Sequence, residues 1–381
     1  MHKVVVLGAG LVGSVIARDL ALDSELEVSI ADINDSALKE LSEEFEINSI
    51  YRDLSERFII QELVENFDLV VGALPGYLGY QALQSVIEVG KSVVDISFFE
   101  EDPFTLDKLA KKKEVTAIID CGVAPGLSNI ILGHVHSLLD HTHSFECYVG
   151  GLPVERQWPY EYKAPFSPVD VIEEYIRDAR FVENRKIITK PALSDSELIE
   201  FPEIGELEAF NTDGLRTLLK TMDIPNMKEK TLRYPGHIKL IKILKDTGFF
   251  SKRFIDVNGI SMKPLDLATK LLSEKWQLGE KEEDYTIMKI IIDGTKENKL
   301  FKYSYELLDH YDKENNIISM ARTTGYTASI MARLVVKGKF EKKGICPPEY
   351  IGKNEVVYNY LMNELRKRNV NVKEKIEEVN K

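Results

Sequence analysis

The sequence predicts an α/β fold: a doubly wound parallel sheet opens the chain, an α+β domain is inserted behind it, and C-terminal helices return to the first domain. Three observations predict this. Short apolar runs alternate with amphipathic stretches from Val4 to Ile119. A glycine-rich turn, Gly8-Ala9-Gly10-Leu11-Val12-Gly13, follows the first run directly. The alternation stops near Gly126, and a purely helical pattern begins near Met320.

Val4–Leu7 reads as a buried strand, because an unbroken apolar run suits a sheet covered on both faces. Leu11–Leu22 reads as a helix with small and apolar residues facing inward. Val28–Ala31 is the second strand and Ser36–Phe45 the second helix. Leu69–Val71, Ser92–Val94 and Ala117–Ile119 continue the strands, with helices near Leu78–Glu88 and Leu106–Lys113. Such alternation argues for a parallel sheet with helices on both faces. A long helix, Leu127–Leu139, precedes a strand at Phe145–Val149 and a turn-rich stretch, Gly150-Gly151-Leu152-Pro153. Strands at Ile187–Thr189 and Tyr285–Ile292 lack helical crossovers, which predicts an antiparallel sheet with helices on one side. Ala321–Val336 is apolar and helical and ends at Lys337-Gly338. Glu355–Lys367 is a second amphipathic helix, and this tail is expected to pack on the first domain.

At 381 residues, two domains are expected. A chain 44% hydrophobic and 29% charged is globular rather than disordered. The net charge of -13 is spread along the chain and repels phosphate backbones and anionic lipid heads. Nucleic acid and membrane partners are therefore not expected. Cys121, Cys147 and Cys346 form no C-x-x-C pair, which suits a reducing cytosol. No apolar run approaches the roughly 20 residues that span a bilayer. The chain enters its first strand with no charged leader, so a soluble, cytoplasmic protein is expected.

The pattern G-x-G-x-x-G recurs by chance, but here it follows a strand and opens a helix. Gly8 permits the tight turn, Gly10 lets the backbone approach a pyrophosphate, and Gly13 lets helix and strand sit close. The pyrophosphate would rest on the helix N-terminus, where free N–H groups and the dipole favour an anion. Asp32 ends the second strand, 24 residues after Gly8, where a carboxylate accepts hydrogen bonds from an adenosine ribose. It would repel a 2′-phosphate, and no arginine stands at Ile33 or Asn34, so NAD is expected over NADP. The plainer alternative is an unliganded glycine turn with Asp32 as a helix cap. Ligands of open parallel sheets bind beyond the carboxyl ends of the strands. Asp53-Leu54 and Ala73-Leu74-Pro75 therefore join the candidate cofactor set, the first on the adenine side and the second near the nicotinamide ribose. Asp95–Phe98 and Asp120–Gly126 should line the same crevice, although plain loops also use glycine and proline.

These residues resemble the saccharopine dehydrogenase-like family over nearly the whole chain. The matching segments are GAGLVG, VGALPG, GVAPGLSN, YVGGLP, YKAPFSPVDVIEEY, LEAFNTDGLRTL, TLRYPGH and MARTTGYTA, in that order. The resemblance is nearest to members that oxidise L-lysine at its ε-carbon. Members acting on saccharopine carry a tyrosine near the position of Phe98 and an aspartate near that of Ala124, and both are absent here. The resemblance implies a Rossmann domain of residues 1–125 plus 319–381 and an inserted domain of 126–318 for substrate and dimerisation. It also implies NAD-dependent oxidative deamination of the lysine ε-amine to the semialdehyde, with release of ammonia. The alternatives are a saccharopine- or carboxynorspermidine-type reductase and a non-catalytic NAD-binding protein.

Hydride leaves a carbon bearing a neutral amine far more readily than one bearing an ammonium. With a free amine pKa of about 10.4, the site must remove a proton. Asp95 and Asp120, at strand ends, are the candidate bases, and turn-capping is their plainer role. The substrate carboxylate wants a planar arginine fork, from among Arg180, Arg216, Arg233 and Arg322. The shared family segments select Arg216 and Arg233 with Asn211, Thr212 and Asp213, and Asp213 would meet the α-ammonium. His134, His136, His141 and His143 lack metal-ligand spacing, so no metal is expected. Cys121 reads as a small buried residue and Lys111–Lys113 as a solvated helix end. No G-x-S-x-G, Walker loop or H-E-x-x-H occurs, which argues against hydrolase and phosphotransfer chemistry. A homodimer is expected, since symmetric dimers are the commonest assemblies.

Overall fold

The computed structural model describes residues 1–279 and 282–379. They divide into two compact units, Met1–Ser137 with Ala321–Asn371, and Leu138–Met320 with the last strand. The first unit begins with β1 (His2–Leu7), α1 (Leu11–Ala21), β2 (Leu26–Asp32), α2 (Asp35–Glu44), β3 (Ile47–Tyr51) and α3 (Arg57–Val64). It continues with β4 (Leu69–Gly72), α4 (Gly76–Val89), β5 (Ser92–Asp95), α5 (Asp107–Lys112), β6 (Thr116–Ile118) and α6 (Leu127–Leu138). The second unit holds β7 (His141–Pro153), α7 (Pro168–Ile176), β8 (Ala179–Glu183), β9 (Lys186–Lys190), β10 (Glu197–Phe201) and β11 (Gly205–Asn211). After α8 (Leu218–Thr221) come β12 (Asn226–Arg233), α9 (His237–Asp246), the hairpin β13 (Ile255–Val257) and β14 (Ile260–Met262), and α10 (Pro264–Trp276). β15 (Asp284–Lys296) and β16 (Lys299–His310) complete that stretch. α11 (Ser319–Val336), β17 (Gly344–Cys346), α12 (Pro348–Gly352) and α13 (Glu355–Lys367) return to the first unit, and β18 (Val372–Val379) pairs in the second.

Among the described residues the first sheet has seven strands, ordered β17-β6-β5-β4-β1-β2-β3. Every pairing in it is parallel. The order reverses between β1 and β4, the switch point at which such sheets bind ligands. Val5, Leu7, Val70 and Val93 pack against Ile60, Val64, Leu83 and Ala110 of α3, α4 and α5. Burial of each such side chain contributes about 1.5–3 kcal/mol. α4 stops at Gly90, whose φ of +83° is the left-handed cap that L side chains disfavour.

The returning helices are tied down by charge. Asp19 on α1 is 5% exposed. It pairs with Arg333 of α11 at 2.6 Å and with Arg368 at 2.8 Å. Burial alone would raise its pKa, but the two guanidiniums outweigh it and the carboxyl is held below its usual value. Such a charge stays buried only because it is paired and hydrogen-bonded.

The second sheet, ordered β10-β11-β12-β7-β15-β16-β18 with β8 and β9 beyond β12, differs from the expectation in two ways. β12 lies parallel to β7, so the sheet is mixed rather than antiparallel. Gly150–Pro153 is not a turn but the end of the 13-residue strand β7. The glycines there serve close approach: a Cβ would lie 2.7 Å from the Leu232 oxygen at Gly150 and 2.5 Å from the Met320 methyl at Gly151. The expected domain limits also differ from the observed units. α6 stays with the first unit because Gly133 meets the backbone of Glu349, where a Cβ would lie 2.1 Å from its oxygen. The tail divides at β18, which pairs with β16. Among the described residues no helix is long and apolar enough to cross a membrane.

Candidate dinucleotide site and the second-domain polar clusters

The glycine turn joins β1 to α1. Gly8 has φ of +107°, and its Cβ would lie 2.5 Å from the oxygen of Ala73. Ala73 is held there by its amide, which donates to the Leu7 oxygen at 2.9 Å. A Cβ at Gly13 would lie 2.1 Å from the Gly8 oxygen. A Cβ at Gly10 would meet nothing within 4 Å, so the space in front of the turn is open. Gly10 is the N-cap of α1, with no side-chain cap and no acid in the first turn. Those amides are left to an incoming anion. Leu11 is half exposed and Val12 partly buried at the same helix end.

Asp32 ends β2 and faces the turn. Its Oδ2 accepts from the Ala9 amide at 2.6 Å and its Oδ1 from the Asn34 amide at 2.8 Å. The carboxylate braces the loop, and each oxygen keeps a lone pair for a ribose hydroxyl. Ile33 is exposed beside it. Arg52, just past β3, was not foreseen. Its amide donates to the Asp32 oxygen at 3.0 Å, and its guanidinium donates to the Tyr51 oxygen at 3.0 Å. Only parallel pairing of β2 with β3 brings residues 20 apart together, so proximity in sequence gave no sign of it. Asp53 accepts from the Ser55 amide at 2.9 Å, which holds its carboxyl below the ordinary value. Leu54 is buried, Leu74 packs near Gly8, and Pro75 precedes α4. The glycine turn, Asp32, Ala73 and Leu74 thus form one cradle that fits a dinucleotide diphosphate.

Asp95 and Asp120 are 1% and 2% exposed, at the ends of β5 and β6. Asp95 Oδ1 accepts from the Ser97 amide at 2.9 Å, and a Cβ at Gly72 would lie 1.9 Å from its Oδ2. The Cys121 amide donates to the Asp95 oxygen at 2.9 Å. Burial, then the charges of Asp120 and Asp95, push the Cys121 thiol far up. That thiol is inert as a nucleophile at neutral pH. Asp120 has φ of +51°, in the left-handed region. Beyond it the turn closes tightly, for a Cβ at Gly126 would lie 2.0 Å from the Gly122 oxygen.

Four of the five residues expected to hold substrate have different polar neighbours. Asp213 is paired with Arg180, whose Nε and Nη2 donate to it at 2.9 and 2.7 Å. Thr212 shares a hydroxyl contact of 2.9 Å with Thr231. Asn211 donates to Asp195 at 3.0 Å. Arg216 is partly buried, with φ of +44°. Arg233 is 2% exposed and uses four of its five N–H donors. It donates to the hydroxyls of Tyr175 and Tyr162 at 3.1 and 3.3 Å, to Glu174 at 3.2 Å and to the Leu232 oxygen at 2.9 Å. Tyr175 in turn meets His237 Nε2 at 2.9 Å, and His237 Nδ1 meets the Tyr160 oxygen at 2.9 Å. His134 stacks on Tyr358 at 3.7 Å. Among the described residues no group of histidine, cysteine and acid side chains has metal-holding geometry.

Fold and cradle together define a nucleotide-binding α/β protein of the Rossmann type. The chain belongs to the saccharopine dehydrogenase family: the family model of the saccharopine dehydrogenase NADP binding domain matches residues 4–118, and that of the saccharopine dehydrogenase C-terminal domain matches 122–370. It is 23% identical to the mitochondrial alpha-aminoadipic semialdehyde synthase of Mus musculus, over 91% of this chain and 45% of that protein. It is 22% identical to the carboxyaminopropylagmatine dehydrogenase of a Synechocystis strain, over 91% of this chain and 92% of that one. The chain thus spans about half the length of the first of these relatives. The apo saccharopine dehydrogenase (L-Glu forming) of Saccharomyces cerevisiae shares its fold, with a TM-score of 0.79, 19% identity, and coverage of 99% and 100%.

Proposed function

We propose that the protein is an NAD-dependent L-lysine 6-dehydrogenase: L-lysine, NAD and water give 2-aminoadipate 6-semialdehyde, ammonia and NADH, with water hydrolysing the imine that loss of hydride leaves. The observation that supports the cofactor half is the Asp32 carboxylate, which accepts from the Ala9 amide of the glycine turn and would repel a 2′-phosphate. The substrate half is supported by family membership and by the buried carboxylates Asp95 and Asp120 at adjacent strand ends. When bound, NAD takes the hydride. The chain's part is to accept the ammonium proton on a carboxylate and to keep the amine neutral in a desolvated site. The lack of polar groups at Phe98 and Ala124 also favours a substrate smaller than saccharopine.

A second reading has its own observations behind it. The full-length likeness to a carboxyaminopropylagmatine dehydrogenase supports reductive condensation of an amine with an aldehyde. Arg52 and the family model's name speak for NADP in the same way.

Two assays separate the readings. NADH formation from NAD and L-lysine supports the first, whereas oxidation of NADH or NADPH only with an amine plus a carbonyl acid supports the second. Asp32→Arg is expected to move preference toward NADPH by at least tenfold in a fluorescence titration. Unchanged NADH affinity in that variant would overturn the role given to Asp32.

A further inference from the structure

The second sheet has two faces with different chemistry. Opposed residues on paired strands share a face, and neighbours along a strand alternate. Phe210 is opposite Thr231, and Arg233 lies on their side. Asn211 is opposite Lys230, on the other side. There the strands border a cavity of about 220 Å³ whose charged side chains are Glu146, Glu183, Asp195, Lys228 and Lys230, with Asn211 beside them.

These groups are only partly satisfied by one another. Asn211 is 4% exposed. Both protons of its Nδ2 are used, on Ser194 Oγ at 3.1 Å and Asp195 Oδ2 at 3.0 Å. Among the described residues its Oδ1 meets no donor. Lys230 is 5% exposed, and its Nζ donates to the Asp195 oxygen and to Glu197 Oε1, both at 2.6 Å. An ammonium has three protons, so one remains. Lys228 Nζ lies 3.3 Å from Glu146 Oε1 and 4.0 Å from Glu197 Oε1, ion pairs with no hydrogen bond among the described residues, and Lys190 Nζ donates to Asp195 Oδ2 at 2.7 Å, which leaves Asp195 Oδ1 with no donor among them.

The cavity therefore offers two ammoniums with spare donors, and a carboxamide oxygen flanked by carboxylates. A dianion would meet Glu146, Glu183 and Asp195. A diamine would meet Lys228 and Lys230. A molecule with one carboxylate and one ammonium satisfies both sets. On this measure a single water needs about 10–15 Å³, so the cavity has room for a molecule the size of an amino acid. We propose that this cavity binds an α-amino acid as its zwitterion, with the carboxylate on Lys228 and Lys230 and the ammonium on Asn211 Oδ1 and Asp195.

The proposal does not rest on lysine being the substrate, and its test uses an amino acid with no ε-amine. Calorimetric titration of the full chain with L-norleucine is expected to give a millimolar Kd. Hexanoate and pentylamine, each lacking one end, are expected to bind at least tenfold more weakly. Lys228→Met and Asp195→Asn are each expected to weaken norleucine at least threefold while NADH affinity, measured on the same samples, is retained. Asp195 is exposed, so its variant carries the test if Lys228→Met does not fold. Absence of heat with norleucine, equal binding of hexanoate, or unchanged norleucine affinity in the folded variants would overturn the site. None of these results bears on NADH formation from L-lysine, so the two readings fail separately.

Discussion

His237 is 2% exposed and carries no charge in the folded protein at neutral pH. Burial, then the nearby Arg233 guanidinium, push its pKa down to about 3. Its Nδ1–H donates to the Tyr160 oxygen, which leaves Nε2 to accept from the Tyr175 hydroxyl. The unfolded imidazole titrates near 6.5, so the unfolded chain binds more protons between those values. Stability from this site is complete above about pH 6.5 and is lost as the pH falls toward 3. At pH 4.5 the loss relative to pH 7 should be about 2.5 kcal/mol larger in the native protein than in His237→Gln, measured by urea unfolding. Asp284 runs the other way. Burial raises its pKa to about 6, against the amides of Ser319 and Met320, which donate to it at 2.6 and 3.1 Å. The folded state binds more protons than the unfolded one between about pH 4 and 6, so this contribution is lost as the pH rises through 6. Asp284→Asn is accordingly expected to narrow its stability deficit against the native protein between pH 5 and pH 8. A deficit that widens over that range would contradict the assignment.

At the scale of elements, what the sequence displays follows from how each strand is covered. β1 and β4 are buried along most or all of their length and appear as unbroken apolar runs. β3 alternates only weakly, with Ile47 alone fully buried, and its polar residues hide it. β17 has three residues, too few for any period to show. The glycine turn was legible because Gly8 and Gly13 each answer a separate steric demand. Gly13→Ala would drive a Cβ to within 2.1 Å of the Gly8 oxygen. The backbone must shift there, and that variant is expected to lose NADH binding by at least a hundredfold while still folding, by calorimetry and circular dichroism. The Asp19 cluster was not legible, because its members come from residues 19, 333 and 368. Arg333→Met leaves Asp19 with the Arg368 guanidinium and the Ser329 hydroxyl, and removing one partner of a buried pair costs about 3 kcal/mol. A loss under about 1 kcal/mol in chemical denaturation would show that Arg368 suffices.

For the molecule as a whole, the sequence revealed that the chain leaves the first unit and returns, since the apolar helix pattern resumes near Met320. It did not reveal where the tail divides. β18 is exposed along most of its length, so no buried face marks it, and its place comes from main-chain pairing with β16 over Leu300–Leu307. The substrate set was legible as segments and not as a site, because alternate strand positions send Asn211 and Thr212 to different neighbours. The division at Asn371 makes one further prediction. Truncation after that residue removes β18 and leaves the dinucleotide cradle of the first unit intact. β16 then becomes an edge strand of twelve residues with unpaired amides and carbonyls. Long uncovered edges promote association between chains. The truncated protein is expected to keep NADH affinity within about twofold and to aggregate at concentrations where the full chain does not, by size-exclusion chromatography. Loss of NADH binding in a truncated chain that still folds would mean that β18 supports the cradle, contrary to its pairing in the second sheet.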